Sequence, residues 1–372
     1  MLVAMKFKYI FLLLVFSCSV ATAQPKVADL DKYIAKAQKD WNVPGIAVAI
    51  VKDGKVVLSK GYGVKEAGGK EAVDSETLFA IASNTKAFVA TAIGQLVAEG
   101  KLNWDDKVID HLPYFELYDD YTTRHATVED LLCHRLGLGT FSGDLMWYKA
   151  NLSAEDVVKK VKYVPQAYEF RNGYGYSNLM FIAAGEVIRS ASGLPWDGYV
   201  RKQIIAPLGM NRTVTSTDDL EAKDNYASPH KPDAVGNNEP IPWVNWDNMG
   251  AAGGIISSAD DMAKWTIMNL NGGKTSQKTI IAKEQQNRLW TPHNNFVVSE
   301  QARAATPGKH FSGYGLGYGV SDYYGKQLVA HSGGYDGMYS YMMMVPDENL
   351  GVVVLTNSMK GIASPLCYYI IN

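Results

Sequence analysis

The sequence predicts an α+β fold: an antiparallel sheet built from both ends of the chain and flanked by helices, with a mostly helical lobe inserted between its two halves. Three observations predict it. Two runs rich in β-branched residues surround Asp53-Gly54, four more such runs follow residue 313, and the stretch between them carries helical apolar spacing.

Residues 27–41 read as an amphipathic helix, closed by Asn42 and Pro44. Gly45-Ile-Ala-Val-Ala-Ile-Val51 and Lys55-Val-Val-Leu-Ser-Lys-Gly61 then form a hairpin, because Asp-Gly supplies the positive φ angles of a two-residue turn. Helices are expected over 83–100, 127–133, 153–161, 177–191 and 258–270. Several open on Ser or Thr with an acid three residues on, as in Ser258-Ala-Asp-Asp261. Strands are expected over 314–320, 326–333, 339–345 and 351–357, parted by turns such as Asp322-Tyr-Tyr-Gly325 and Pro346-Asp-Glu-Asn349. A last apolar run, 362–371, reads as a helix whose first two turns or so are the end of the sequence. The α/β lobe is thus expected over about 24–80 and 245–372, and the helical lobe over about 81–244.

Residues 1–23 read as a signal peptide. Lys6 and Lys8 precede the apolar run Tyr9–Phe16, and Ala21-Thr-Ala23 offers a cleavage site before Gln24. Met5 is an alternative start, and lipid attachment at Cys18 is a weaker alternative fate. The mature chain is therefore expected to be secreted or periplasmic, with no later run apolar enough to span a bilayer. A formal charge of −2 with no basic run speaks against nucleic acid as a partner. Beyond the leader only Cys133 and Cys367 remain, too few for a disulfide scaffold or structural metal site. Small buried apolar roles are expected of them, and whether they pair is open.

The chemistry concentrates at Ser83-Asn-Thr-Lys86, where an extended segment gives way to a helix. Three residues apart, the Ser hydroxyl and the Lys amine share one helix face. An amine pushed into a low-dielectric pocket sheds its proton readily and can serve as the base that activates the hydroxyl. Backbone N–H groups of the first helical turn favour negative charge developing there. About one Ser-x-x-Lys arises by chance in a chain this long. A second, Ser228-Pro-His-Lys231, lies in a Pro- and Asn-rich loop with no helix after it and is set aside. Two further motifs support Ser83. Tyr176 and Asn178 face one side of an extended segment, the phenol as a possible base and the amide as a holder of a substrate carbonyl. His331-Ser332-Gly333-Gly334 ends a strand, where glycine lets a substrate backbone lie along the edge.

In order and spacing, Ser83-x-x-Lys86, Tyr176-x-Asn178 and the basic residue-Ser-Gly at 331–333 resemble the three motifs of the serine β-lactamase and penicillin-binding-protein superfamily. The similar branch is the class C β-lactamase-related group, with its family VIII esterases and D-aminopeptidases. Leu131-Leu-Cys-His134-Arg-Leu-Gly137, Ala252-Gly-Gly254, Pro44-Gly-Ile-Ala-Val-Ala and Val353-Val-Leu-Thr-Asn357 resemble further features of that group, so the likeness covers about 28–362. It implies a β-lactamase/transpeptidase-like fold and Ser83 as the acylated nucleophile. It further implies Lys86 and Tyr176 sharing the proton transfers and Asn178 on the substrate carbonyl. His331, Ser332 and Gly333 would lie along the substrate, and the backbone N–H groups of Ser83 and Gly334 would form the oxyanion hole.

Departures matter too. The third motif usually opens on Lys; His331 carries little charge above about pH 6.5, which tilts the site away from free carboxylates unless Arg135 or Arg171 supplies the charge. No Glu equivalent to the class A deacylation base is evident. Trp147-Tyr148 and the tryptophans at 243 and 246 are cleft-wall candidates. There is no Gly-x-Ser-x-Gly elbow and no His-Glu-x-x-His motif, and Gly272-Gly-Lys-Thr275 follows a helix, unlike a phosphate loop. The expectation is a cofactor-free, metal-free exported serine hydrolase taking a small ester, β-lactam or D-peptide. The alternative is a penicillin-binding sensor or scaffold with little or no turnover.

Overall fold

The structure is a computed structural model and describes residues 27–306 and 308–372. The expected leader, with Cys18, lies outside the described residues. Among these, eight antiparallel strands form the main sheet: β1 (Gly45–Lys52), β2 (Lys55–Gly63), β3 (Asn294–Phe296), β4 (Ser312–Tyr314), β5 (Gly319–Tyr323), β6 (Lys326–Tyr335), β7 (Met338–Val345) and β8 (Leu350–Thr356). Their order is β2-β1-β8-β7-β6-β5-β4-β3, so β1 from near the start pairs with β8 from near the end, Val48 opposite Val354. The segment between β2 and β3 adds no strand to this sheet.

Asp53 (φ 52°) and Gly54 (φ 72°) close the first hairpin, the two positive φ angles that a strand-matched tight turn requires. β1 and β8 are buried on both faces, which is why they read as unbroken apolar runs. On one face α1 (Val27–Asp40) and a C-terminal helix (Ala363–Ile371) cover Ile46, Val48, Val352 and Val354. On the other, the helix Ala259–Leu270 lays Met262, Trp265 and Met268 against Ala47, Val353 and Leu355.

One expectation needs correction. The single strand foreseen over 314–320 is two, β4 and β5, parted by a turn at Gly315–Tyr318. A Cβ on Gly315 would lie 2.2 Å from the Leu289 carbonyl, and Gly317 holds φ 76°, so both glycines serve a close-packed corner rather than a pleat. Cys133 and Cys367 are both free and buried, one in each of the two cores on opposite faces of the sheet, so they do not bridge. The set-aside motif is likewise inert: Ser228 donates to Glu66, and Lys231 pairs with Glu239 on a short surface strand pair.

Candidate active site

Ser83 lies in a single 3-10 turn, Ala82–Asn84, that runs directly into α2 (Thr85–Ala98). α2 is apolar all round and buried from Thr85 to Leu96, as a helix in the centre of a core should be. Ala82, immediately before the nucleophile, holds φ 46°, a left-handed conformation that costs a residue with a Cβ roughly 1–3 kcal/mol. The sheet holds it there: Ser340 Oγ on β7 donates to the Ile81 carbonyl at 2.7 Å and accepts from Asn84 Nδ2 at 2.9 Å. Beside it, Gly333 on β6 comes so close that a Cβ would sit 2.1 Å from the Ile81 carbonyl oxygen. Gly333 is thus fixed by the approach of strand to turn.

Lys86 is fully buried one helical turn on. Its Nζ lies 3.1 Å from Ser83 Oγ, 2.8 Å from Asn178 Oδ1 and 2.7 Å from the Ala252 carbonyl. Burial pushes the amine down to about 7, with the Asp144 carboxylate pulling the other way. The geometry then dictates where a neutral amine aims its lone pair. The Ala252 carbonyl and Asn178 Oδ1 can only accept, so they take its two N–H donors, and the lone pair is left facing the Ser83 hydroxyl.

Tyr176 closes the other side. Its ring centroid is 4.8 Å from Lys86 Nζ, its N–H donates to Thr140 Oγ1, and its carbonyl accepts from Phe141 N–H. Burial raises the phenol's pKa, and contact with the Ser83 hydroxyl offsets this only in part, so the resting residue is a neutral phenol. Asn178, the first residue of the helix Asn178–Ser192, accepts from Lys86 and donates through Nδ2 to Asp144 Oδ2 at 2.8 Å. Its amide is therefore oriented by the Lys86 amine on one side and the Asp144 carboxyl group on the other.

His134 packs 4.3 Å from the Tyr176 ring and 4.6 Å from Tyr314, and its Nδ1 accepts the Ser177 N–H at 3.1 Å. His331 is equally enclosed. Its Nδ1 sits 2.6 Å from the Ser332 carbonyl, which can only accept, so Nδ1 carries the proton and Nε2 accepts the Tyr314 hydroxyl at 2.8 Å. Burial, reinforced by the Lys86 charge, pushes His331 down to about 4, so it brings no positive charge at neutral pH. Arg135 and Arg171 bring none either: both bond Asp130, Arg135 also bonds Glu129, and neither lines the cavity at Ser83.

That cavity measures about 660 Å³ and takes in Ser83, Tyr176, Asn178, His331, Ser332 and Gly334 together. β5 pairs with β6 only as far as Ala330, so the edge of β6 from His331 to Tyr335 has no strand beside it on that side. Ser332 and Gly334 face the cavity from this open edge, an unpaired row against which an extended ligand can lie. Trp147 and Trp246, 5.4 Å apart edge to face, line the same space, whereas Trp243 packs on Tyr226 and Tyr335 instead.

Sequence reasoning missed four participants: Asp144, the Ala252 carbonyl as a holder of Lys86, Ser340, and Tyr314 as the partner of His331. Ala252 and His134 fall in stretches the sequence had singled out, without roles. Asp144 and Ser340 carry no local signal, because only the folded chain brings them to Ser83. Among the described residues, no group of three or more His, Cys, Asp or Glu side chains could hold a metal ion, and no helix is long and apolar enough to cross a membrane.

Comparison with known proteins gives the family and the fold. A family model described as Beta-lactamase matches residues 30–366. The chain is 30% identical over 366 residues to unguisins hydrolase ungD' of Aspergillus campestris, covering 94% of this chain and 66% of that protein. It is 29% identical over 338 residues to Protein flp of Staphylococcus aureus, covering 88% of this chain and 62% of the relative. The chain thus spans about two thirds, or slightly less, of the length of these relatives. Among solved structures, the octameric penicillin-binding protein homologue from Pyrococcus abyssi superposes with a TM-score of 0.81 at 28% identity, over 93% of this chain and 76% of that one.

Proposed function

The chain belongs to the Beta-lactamase family and has its serine-hydrolase fold, and from that premise we propose that it is an exported hydrolase working through an acyl-enzyme on Ser83. The observation that carries this reading is Lys86: fully buried, shifted to about 7, and 3.1 Å from Ser83 Oγ. Neutral Lys86 takes the Ser83 proton as Oγ bonds to the substrate carbonyl carbon. The backbone N–H groups of Ser83 and Gly334 hold the oxyanion, each such donor contributing about 3 kcal/mol. As the carbonyl re-forms, the leaving group departs with a proton relayed from Lys86 through the Tyr176 phenol. Water then attacks the acyl-enzyme carbonyl and gives its proton to the same pair, and as the intermediate collapses that proton passes to the departing Ser83 Oγ, restoring the hydroxyl and the neutral Lys86. Asn178 orients Lys86 and the substrate carbonyl, and the open edge of β6 at Ser332 carries the rest of the ligand.

Substrates in this reading are esters or small D-configured peptides before β-lactams, because neutral His331 offers no charge to a free carboxylate. His331→Lys is accordingly expected to raise cephalosporin turnover relative to ester turnover; an unchanged ratio counts against the assignment. The reading as a whole is tested by following product per enzyme with a chromogenic ester and a chromogenic cephalosporin, alongside intact-mass measurement of Ser83 acylation. Many turnovers, lost in Ser83→Ala, are expected. One equivalent of product would indicate a penicillin-binding sensor, and none with Ser83 unlabelled a scaffold.

A further inference from the structure

We propose that His134 is the positioning residue for the Tyr176 phenol: it holds the backbone on both sides of Tyr176 and so sets where the phenol stands against Ser83. The inference rests on the Ser83 reading and names the group that aligns its proton relay.

The consecutive N–H groups of Gly175, Tyr176 and Ser177 all bind the loop that begins at His134. Gly175 N–H donates to the His134 carbonyl at 3.1 Å, Tyr176 N–H to Thr140 Oγ1 at 3.2 Å, and Ser177 N–H to His134 Nδ1 at 3.1 Å. One residue thus grips the chain immediately before and immediately after the phenol, and its ring lies 4.3 Å from the Tyr176 ring. Little slack remains, since a Cβ on Gly175 would lie 1.7 Å from the Leu138 carbonyl oxygen. His134 is itself fixed. Its carbonyl also accepts from the Tyr168 hydroxyl at 2.9 Å and from Asn294 Nδ2 at 3.3 Å. Its backbone holds φ 61°, a left-handed conformation that a residue with a Cβ keeps only where its surroundings impose it.

Only one form of the imidazole can do this. Ser177 N–H can only donate, so Nδ1 is bare and the ring proton sits on Nε2. Nε2 is buried among the rings of Tyr174, Tyr176, Phe181 and Tyr314 and has no hydrogen-bond partner among the described residues. A buried donor without an acceptor is a cost, so what fixes this tautomer is the bond that Nδ1 takes from Ser177. A proton on Nδ1 would break that bond. Burial, with the nearby Lys86 and His331 adding to it, pushes His134 well below the usual histidine value, so the ring stays neutral and the bond is kept at neutral pH.

The test compares kcat/KM on the ethyl and nitrophenyl esters of one acid. Ethoxide must be protonated to leave, whereas nitrophenolate leaves as a stable anion, so a damaged relay through Tyr176 falls mainly on the ethyl ester. His134→Phe keeps a ring but offers Ser177 no acceptor. A phenol displaced by about 1 Å is expected to cost on the order of a hundredfold on the ethyl ester and less than about tenfold on the nitrophenyl ester. His134→Asn, whose Oδ1 can stand in for Nδ1 and whose backbone tolerates positive φ, is expected to stay within about tenfold of wild type on both. In a Tyr176→Phe background, His134→Phe should cost less than about threefold more, because the hydroxyl it positions is gone. Equal losses on the two esters, equal losses in the two backgrounds, or an Asn variant no better than Phe would make His134 a packing residue and overturn the proposal, while Ser83-dependent turnover leaves the Ser83 reading intact. Turnover of neither ester by the wild type sinks both. A check that needs no active variant is the nitrogen NMR spectrum of the wild-type imidazoles, with His134 assigned by its absence in His134→Asn. A protonated Nε2 and a bare Nδ1 are expected; a proton on Nδ1 would rule out the bond from Ser177 and overturn the proposal.

Discussion

Lys86→Met is expected to lower kcat/KM about a thousandfold or more, and yet to melt no lower than the wild type at pH 7. The loss follows from geometry: the amine whose lone pair is held against Ser83 Oγ is gone, and Tyr176, whose phenol is pushed up by burial, is not ionised to replace it. The stability side follows from the cost of keeping a lysine amine wholly out of water, which is several kcal/mol when the unfolded chain would hold it as a solvated ammonium. Methionine fills similar space without that cost, though it leaves Asn178 Oδ1 and the Ala252 carbonyl without a donor. The sign with pH is fixed. The folded pKa of Lys86 lies below its unfolded value near 10.4, so wild-type stability rises between about pH 7 and 10.4 as the unfolded chain gives up its proton. The difference in Tm between Lys86→Met and wild type should therefore narrow steadily over that range. A variant that melts far below wild type at pH 7, or a gap indifferent to pH, would contradict a neutral buried amine.

Gly333→Ala is the second large effect. The added methyl meets the Ile81 carbonyl oxygen at 2.1 Å and Ser340 Oγ at 2.5 Å, both part of the clasp that holds the Ser83 turn to the sheet. Backbone cannot give way there as a flexible side chain could, so β6 must move off the turn. Displacing the oxyanion donor on the next residue by even about 1 Å costs on the order of a hundredfold in kcat/KM, and overpacking costs about 1–3 kcal/mol in stability. Gly334→Ala is the control for stability: its Cβ would find only Met359 Cε, at 3.5 Å, and the protein should keep its Tm. Equal Tm values for the two variants would show that β6 does not press on the turn.

Much of this was legible in the sequence because it is local. The hairpin at Asp53-Gly54 is written in two residues that tolerate positive φ. The helix Asn178–Ser192 and the helix Ala259–Leu270 are written in apolar spacing and their starts. Ser83, Lys86, Tyr176, Asn178 and His331 were found from short motifs; the fold brings four of them to one cavity, with Lys86 buried behind it against Ser83. The division of labour between Lys86 and Tyr176 was not legible, since each pKa depends on burial by residues far away in the chain. The charge state of His331 was half legible: its identity said weakly basic, but only the Tyr314 and Ser332 contacts say neutral. Asp144 was invisible, because a lone acid in an irregular loop looks like any solvated side chain until Asn178 is seen against it.

The claim on which the rest depends is that the Lys86 amine is neutral near physiological pH. Titrating the folded protein with 13C-labelled lysine and following the Lys86 side-chain resonance by NMR, assigned by its absence in Lys86→Met, measures this directly. The resonance should shift with a midpoint of about 7, far below the reference lysine value of about 10.4. A Lys86 midpoint at that reference value would mean the amine stays charged, and the proposed activation of Ser83 would be wrong.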